Sequence, residues 1–189
     1  KKNKITIAPT WGNGSLIENH NYENILSQVL ELQFDVYLRL HPMTTRHHPK
    51  LINRIKEKFK DKDNLFFETN MGDKKNLYES FMMISDWSGA AFDFSLTQKK
   101  PVLFIDTPQK INNPEYKKLN LPAAESSIRE DVGKIVKLDE LEKINEVILE
   151  FYENQDVWRE RISNKENNYI YNLGDSSEKI ANSLNEIVS

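Results

Sequence analysis

Two hydrophobic rhythms alternate along the chain. Short runs rich in β-branched and aromatic residues read as strands, and longer stretches with apolar residues three and four apart read as helices. "KITIAP", residues 4–9, alternates and is stopped by proline; "FDVYLRL", 34–40, alternates and stops at His41-Pro42. "PVLFID", 101–106, is a continuous apolar run of the kind buried on both faces of a sheet. Residues 64–69, 82–85 and 134–137 are the other strand candidates. Helical spacing predicts helices over 22–33, 49–60, 75–81, 89–97, 138–152 with Asp139 as N-cap, and 157–166. Asp175-Ser176-Ser177 would cap a last helix running to Ile187. Residues 107–131 carry few periodic signals and read as a long polar connection, of a length that is often functional.

Strands alternating with helices imply an α/β fold, a parallel sheet covered on both faces. The simplest arrangement is one Rossmann-like domain over 1–189, with 154–189 as a C-terminal helical tail. Ligands of such sheets sit beyond the carboxyl ends of the strands, at helix N-termini. The segments expected there are Thr10-Trp11-Gly12, His41-Pro42 and Ser85 to Gly89.

Composition narrows the classes. With 38% hydrophobic and 29% charged residues, the chain is too apolar for general disorder. A net charge of -3 argues against non-specific nucleic-acid binding. No cysteine is present, which excludes disulfides and cysteine-ligated zinc. No apolar run approaches a membrane span, and no signal peptide is evident. The first residues, Lys1-Lys2-Asn3, include no Met and suggest a piece of a longer protein.

"ISDWSGAAFDF", residues 84–94, ends a strand and opens a helix. Free backbone N–H groups there favour an anion, Ser88 adds a hydroxyl, and Gly89 allows close approach. The plainer reading is a capped turn, and the segment is not a P-loop. Asp93 could brace the turn or stand exposed on the helix. His41 could donate to a phosphate or move a proton; Pro42 would hold its backbone extended. The plainer reading is a surface histidine. His47-His48 reads as a solvated pair rather than a metal site. Trp11 could cradle a ligand or pack against an edge. Arg129-Glu130 could clamp a phosphate through Arg129 or form a surface ion pair.

In order along the chain, "APTW", "RLHP", "ISDWSGAAFDF", "KKPVLFID" and "YNLGDSSEKIA" resemble the C-terminal half of the CDP-glycerol glycerophosphotransferase family, the teichoic-acid and capsule polymerases and primases. The resemblance runs from Ala8 to Ala181. It implies a GT-B architecture, two Rossmann-like domains with the active site between them, of which this half would bind the nucleotide donor. An acceptor hydroxyl would attack the β-phosphate of CDP-glycerol and CMP would leave. His41 would be the catalytic or donor-handling histidine. Thr10, Trp11, Arg39, Pro42, Ser85, Asp86, Ser88, Gly89, Arg129, Glu130, Asp175 and Ser176 would form the donor site, with Asp86 and Asp93 bracing the turn, since a carboxylate facing the phosphates would repel them. The resemblance implies no metal and no cofactor beyond the CDP-activated donor. It implies an acceptor that is a polyol phosphate or polysaccharide, an N-terminal acceptor domain of the same chain, and peripheral attachment at the inner face of the bacterial cell membrane.

The chain departs from the family pattern in two places. The second histidine that the family carries in its N-terminal half, in a Trp-His-Gly-like segment, is not found, and Trp11-Gly12 lacks it, so the chain reads as the donor-binding half alone and is expected to be inactive by itself. A Pro-Gly-Pro element after "KKP" is replaced by "DTPQKINNPEYKKLNLPAAESSIREDVG", which leaves the donor open. The alternatives are a GT-B glycosyltransferase or sugar-nucleotide epimerase relative using a UDP- or CMP-sugar, and a non-catalytic nucleotide-binding module of a capsule-assembly protein.

Overall fold

Six strands form the scaffold: β1 (Lys4–Ile7), β2 (Asp35–Leu38), β3 (Leu65–Phe67), β4 (Ser80–Ser85), β5 (Val102–Asp106) and β6 (Gly133–Lys137). The computed structural model describes residues 3–19, 21–68, 70, 72–109, 111, 113, 115–119 and 124–188. The strands pair in the order β3-β2-β1-β4-β5-β6, every pair parallel. The central strands are buried along almost their whole length, as a sheet covered on both faces requires. Polar residues on them are satisfied locally: the Thr6 and Ser80 hydroxyls lie 2.8 Å apart, and the Lys4 ammonium reaches Asn76 Oδ1 at 2.8 Å and Glu79 Oε2 at 2.5 Å.

Helices α1 (Tyr22–Glu31), α2 (Pro42–His47), α3 (Pro49–Lys58) and α4 (Lys75–Glu79) connect the first four strands. Helices α5 (Gly89–Gln98) and α6 (Ala124–Val132) join β4, β5 and β6; α7 (Ile144–Glu153), α8 (Gln155–Lys165) and α9 (Ser176–Val188) follow. Helices α1 and α7 bury the stripes their spacing predicts, Ile25, Leu26, Val29 and Leu30 on the first and Ile144, Val147, Ile148 and Phe151 on the second. Helices α5, α6 and α8 contact one another, and α1 meets α7. This is a Rossmann-like α/β fold. Its sheet reverses direction of growth between β1 and β4, which is where the crevice of such folds opens.

Several boundaries differ from the sequence expectations. Ser80 and Phe81 open β4 rather than closing a helix. The helix expected from 138 begins at Ile144, after a 3₁₀ turn over Leu141–Lys143, so Asp139 is no N-cap. The expected connection 107–131 contains a 3₁₀ turn, Tyr116–Leu119, and most of α6. Helix α6 escapes a periodicity search because one of its three core-facing positions, Ile128, Arg129 and Val132, is an arginine. Helix α2 escapes because only Thr44 in it is buried, and it takes in His47, expected on a loop. The expected strand end at Thr69 lies outside the described residues.

Candidate functional site

The loop after β1 and the turn after β4 are built around one carboxylate. Asp86 is fully buried, and it accepts hydrogen bonds from Thr10 N–H (2.7 Å) and Leu16 N–H (2.8 Å). Burial pushes its pKa up, opposed by backbone donors from Leu16, Thr10, Asp86 and Trp87. Gly12 and Gly14, at φ 103° and 85°, let the chain double back so that both ends of the loop reach Asp86. Ser85 is also fully buried and donates its hydroxyl to Ala8 O at 2.7 Å. Ser85, expected at the donor, therefore faces inward, and Asp86, expected within the donor site as a brace of the turn, does brace it; together they tie β4 to the β1 loop.

The same loop carries Trp11, whose ring stacks on His41 with centroids 5.8 Å apart and planes at 25°. His41 is the N-cap of α2, extended at φ −60° and ψ 140° as its following proline requires, and its Nδ1 accepts the Met43 N–H at 3.1 Å. A neutral imidazole whose Nδ1 accepts must carry its proton on Nε2. His41 is thus held as an Nε2–H donor. Glu18, from an irregular stretch without a motif, braces this corner. Its carboxylate accepts from Gly12 N–H (3.1 Å) and the Thr44 hydroxyl (2.7 Å) and lies 3.3 Å from His48 Nε2.

Helix α5 starts beside this framework. Ser88, its N-cap, is extended (φ −100°, ψ 129°) and makes no side-chain cap bond; Gly89 is exposed, with open space where a Cβ would stand. Gly89 and Ala90 thus present an exposed helix start at the sheet's switch point, while the N–H of buried Ala91 donates to Ser88 O at 3.1 Å. Asp93 is exposed, and the hydrogen bond at its position is made by its backbone carbonyl, which accepts from the Thr97 hydroxyl at 2.6 Å. It stands on the outer face of α5 and does not brace the turn.

Behind the turn lies an aromatic and cationic cluster of Trp87, Phe104 and Arg129. Trp87 donates its indole N–H to Thr107 O at 2.7 Å. The Arg129 guanidinium packs 4.1 Å from the Trp87 ring centroid and 5.0 Å from that of Phe104, and pairs with Asp106 at 2.9 Å. Arg129 is only 3% exposed, and its Nε and Nη2 have no hydrogen-bond partner among the described residues. Expected as an open phosphate clamp, it instead underlies Trp87.

The remaining candidates point elsewhere. Arg39 donates to Glu68 (2.9 Å) and to Asp73 O (2.9 Å), on the β3 side. Glu130 is exposed, and its backbone carbonyl accepts from Arg161. Ser176 donates to Asn172 O, and the Asp175 carbonyl accepts from Lys179 N–H, bonds that stay within the C-terminal segment. Pro42 is exposed at the first position of α2. Among the described residues no three His, Asp or Glu side chains group as a metal site, and no helix is long and apolar enough to cross a membrane.

A family model described as CDP-Glycerol:Poly(glycerophosphate) glycerophosphotransferase matches residues 1–186. The chain belongs to that family. The motif-bearing turns described above fall inside the match. A comparison with curated proteins finds no match. Among solved structures, the chain is similar to MnaA from S. aureus in a co-structure with UDP (TM-score 0.65, 16% identity, 99% of this chain and 46% of that one). It is also similar to a UDP-GlcNAc 2-epimerase from Neisseria meningitidis bound to UDP-GlcNAc (TM-score 0.57, 17% identity, 98% and 44%). A glycosyltransferase from Rickettsia africae gives a TM-score of 0.55 at 18% identity, over 87% and 44%. At these identities the likeness shows the fold, that of GT-B glycosyltransferases and UDP-GlcNAc 2-epimerases. The chain spans less than half the length of these three structures.

Proposed function

We propose that this chain is the donor-binding part of a transferase that moves a glycerol phosphate, or a related polyol phosphate, from a CDP-activated donor to a teichoic-acid or capsule-type acceptor. The observation that carries the reading is the uncapped, open N-terminus of α5 at the switch point, in a chain of this family. There the donor diphosphate accepts hydrogen bonds from the α5 backbone and Ser88, and His41 Nε2–H supplies a further donor. In the reaction an acceptor oxygen bonds to the β-phosphorus, and the bond from that phosphorus to the bridging oxygen breaks. CMP leaves with the electron pair, and the acceptor's proton passes to a base. His41 is not that base while Met43 N–H occupies its Nδ1; its part is to donate a hydrogen bond to the phosphates, and such positioning and polar stabilisation are most of what phosphoryl transfer asks of a protein. The acceptor site, the base and the attachment to the membrane face belong in this reading to a longer protein.

Calorimetric titration of the chain tests it. CMP and CDP-glycerol should bind, and His41→Ala should weaken CDP-glycerol by about tenfold, the worth of one charge-assisted hydrogen bond. A folded chain that binds no cytidine nucleotide would overturn the reading. A second reading is favoured by the UDP and UDP-GlcNAc held by the two similar structures. If UDP binds better than CDP in the same panel, the donor is a UDP-sugar.

A further inference from the structure

A cavity of about 290 Å³ opens between α2, α3 and the carboxyl ends of β2 and β3. Its apolar wall is formed by Leu38, Leu40, Ile52 and Phe67. Arg46 and Lys56 stand over that wall, both exposed. Neither has an acidic partner among the described residues; Lys56 Nζ instead lies 5.2 Å from the Phe67 ring centroid. Among the described residues Glu68 is the single acid in the lining, and its carboxylate is already taken by Arg39 at 2.9 Å and Asn76 at 3.2 Å. The cavity is therefore apolar below and positive above. Its volume lies at the lower edge of the roughly 300–1,000 Å³ common for small-ligand pockets, which suits one ring or a short chain. In the sheet it belongs to the β2–β3 flank, whereas the open N-terminus of α5 follows β4 on the other side of β1.

We propose that this cavity is a second ligand site, taking a small amphiphilic anion: one ring or a short chain that carries a phosphate or a carboxylate. The apolar body fills the space against Leu38, Leu40, Ile52 and Phe67. The anionic group meets Arg46 and Lys56, which have no acidic partner among the described residues. Pro42 also lines the cavity, so the occupant packs against the short helix whose N-cap is His41. This goes beyond the proposed donor site, and it stands or falls separately.

Methyl and amide NMR on the chain tests it, with benzyl phosphate, phenylacetate and the neutral benzyl alcohol as probes. Benzyl phosphate or phenylacetate should shift the Leu38, Leu40 and Ile52 methyls saturably, at least tenfold more tightly than benzyl alcohol, and the tighter of the two anions identifies the head group. Lys56→Gln and Arg46→Gln, surface changes that leave the core intact, should each weaken the anion several-fold and leave benzyl alcohol unaffected. Equal binding of anion and alcohol, insensitivity to both variants, or no shift at millimolar probe would overturn the proposal. So would CMP shifting these methyls more tightly than benzyl phosphate, which would make the cavity the nucleotide site. Failure of the donor reading has a different signature, the absence of any CMP shift at the Gly89 and Ala90 amides.

Discussion

His41 shows how one backbone bond constrains chemistry. Because Met43 N–H points at Nδ1, the proton of the neutral ring is fixed on Nε2. Nitrogen-15 spectra of the chain near pH 8 should show the Nε2–H tautomer for His41; an Nδ1–H signal would make it available as a base and contradict the assigned role. Arg129 offers a second residue-scale test. Its charge is buried while its partner Asp106 is 38% exposed by side chain. Removing the buried cation is milder than stranding it. Asp106→Ala should therefore destabilise the chain more than Arg129→Met, the former by about 2–4 kcal/mol after allowance for the solvent that reaches Asp106. Urea unfolding of the two variants measures the order, and the reverse order would mean that packing of the Arg129 side chain on Trp87 outweighs its charge.

At the scale of elements, β6 depends on the absence of a side chain. Gly133 pairs with Val102 of β5, and a Cβ there would lie 1.8 Å from the Val102 carbonyl oxygen. Backbone cannot yield as a side-chain tip can, so Gly133→Ala should cost about 3 kcal/mol, the upper end for overpacking. The loss should concentrate in β6, seen as faster amide exchange there than in β1 and β4; unchanged exchange would mean the sheet edge adjusts freely. Helix α5 shows the opposite economy. Its first turn is left without a side-chain cap, a feature that costs about 1 kcal/mol of helix stability relative to a capped start. An open N-terminus of this kind suits an anion that supplies the cap when it binds.

For the molecule as a whole, the C-terminal part is fastened by the pair Tyr169–Asp131. The phenol donates to Asp131 Oδ2 at 2.6 Å, joining the segment after α8 to α6. That bond holds the Asp131 carboxyl below its ordinary pKa, with burial opposing, and raises Tyr169 from 10.0 to about 12. The signs give a window. Asp131's contribution is present above the ordinary carboxylate range and is lost as pH falls through its lowered value. Tyr169's is present below pH 10 and is lost as pH rises toward about 12. Tyr169→Phe should lower stability by about 1 kcal/mol between these limits and approach zero effect beyond them. Denaturant midpoints across pH measure this, and a pH-independent difference would show that the phenol acts by packing alone.

The hydrophobic rhythm alone determined the α/β class, because strands and helices bury one face at different periods and the central strands are apolar throughout. It also located the turns at 10–12, 41–42 and 85–89, since proline and glycine interrupt runs where the chain must bend. Which atoms those turns present was decided only by tertiary structure. Ser85 and Asp86 face inward because the β1 loop supplies carbonyl and N–H partners 70 to 77 residues away in sequence. Arg129 sits under Trp87 because α6 brings it there. Glu18 carries no motif signal, since two of its three partners, Thr44 and His48, come from the distant region of α2. Residue type announced where an anion could be held; long-range hydrogen bonding decided which groups remain free to hold it.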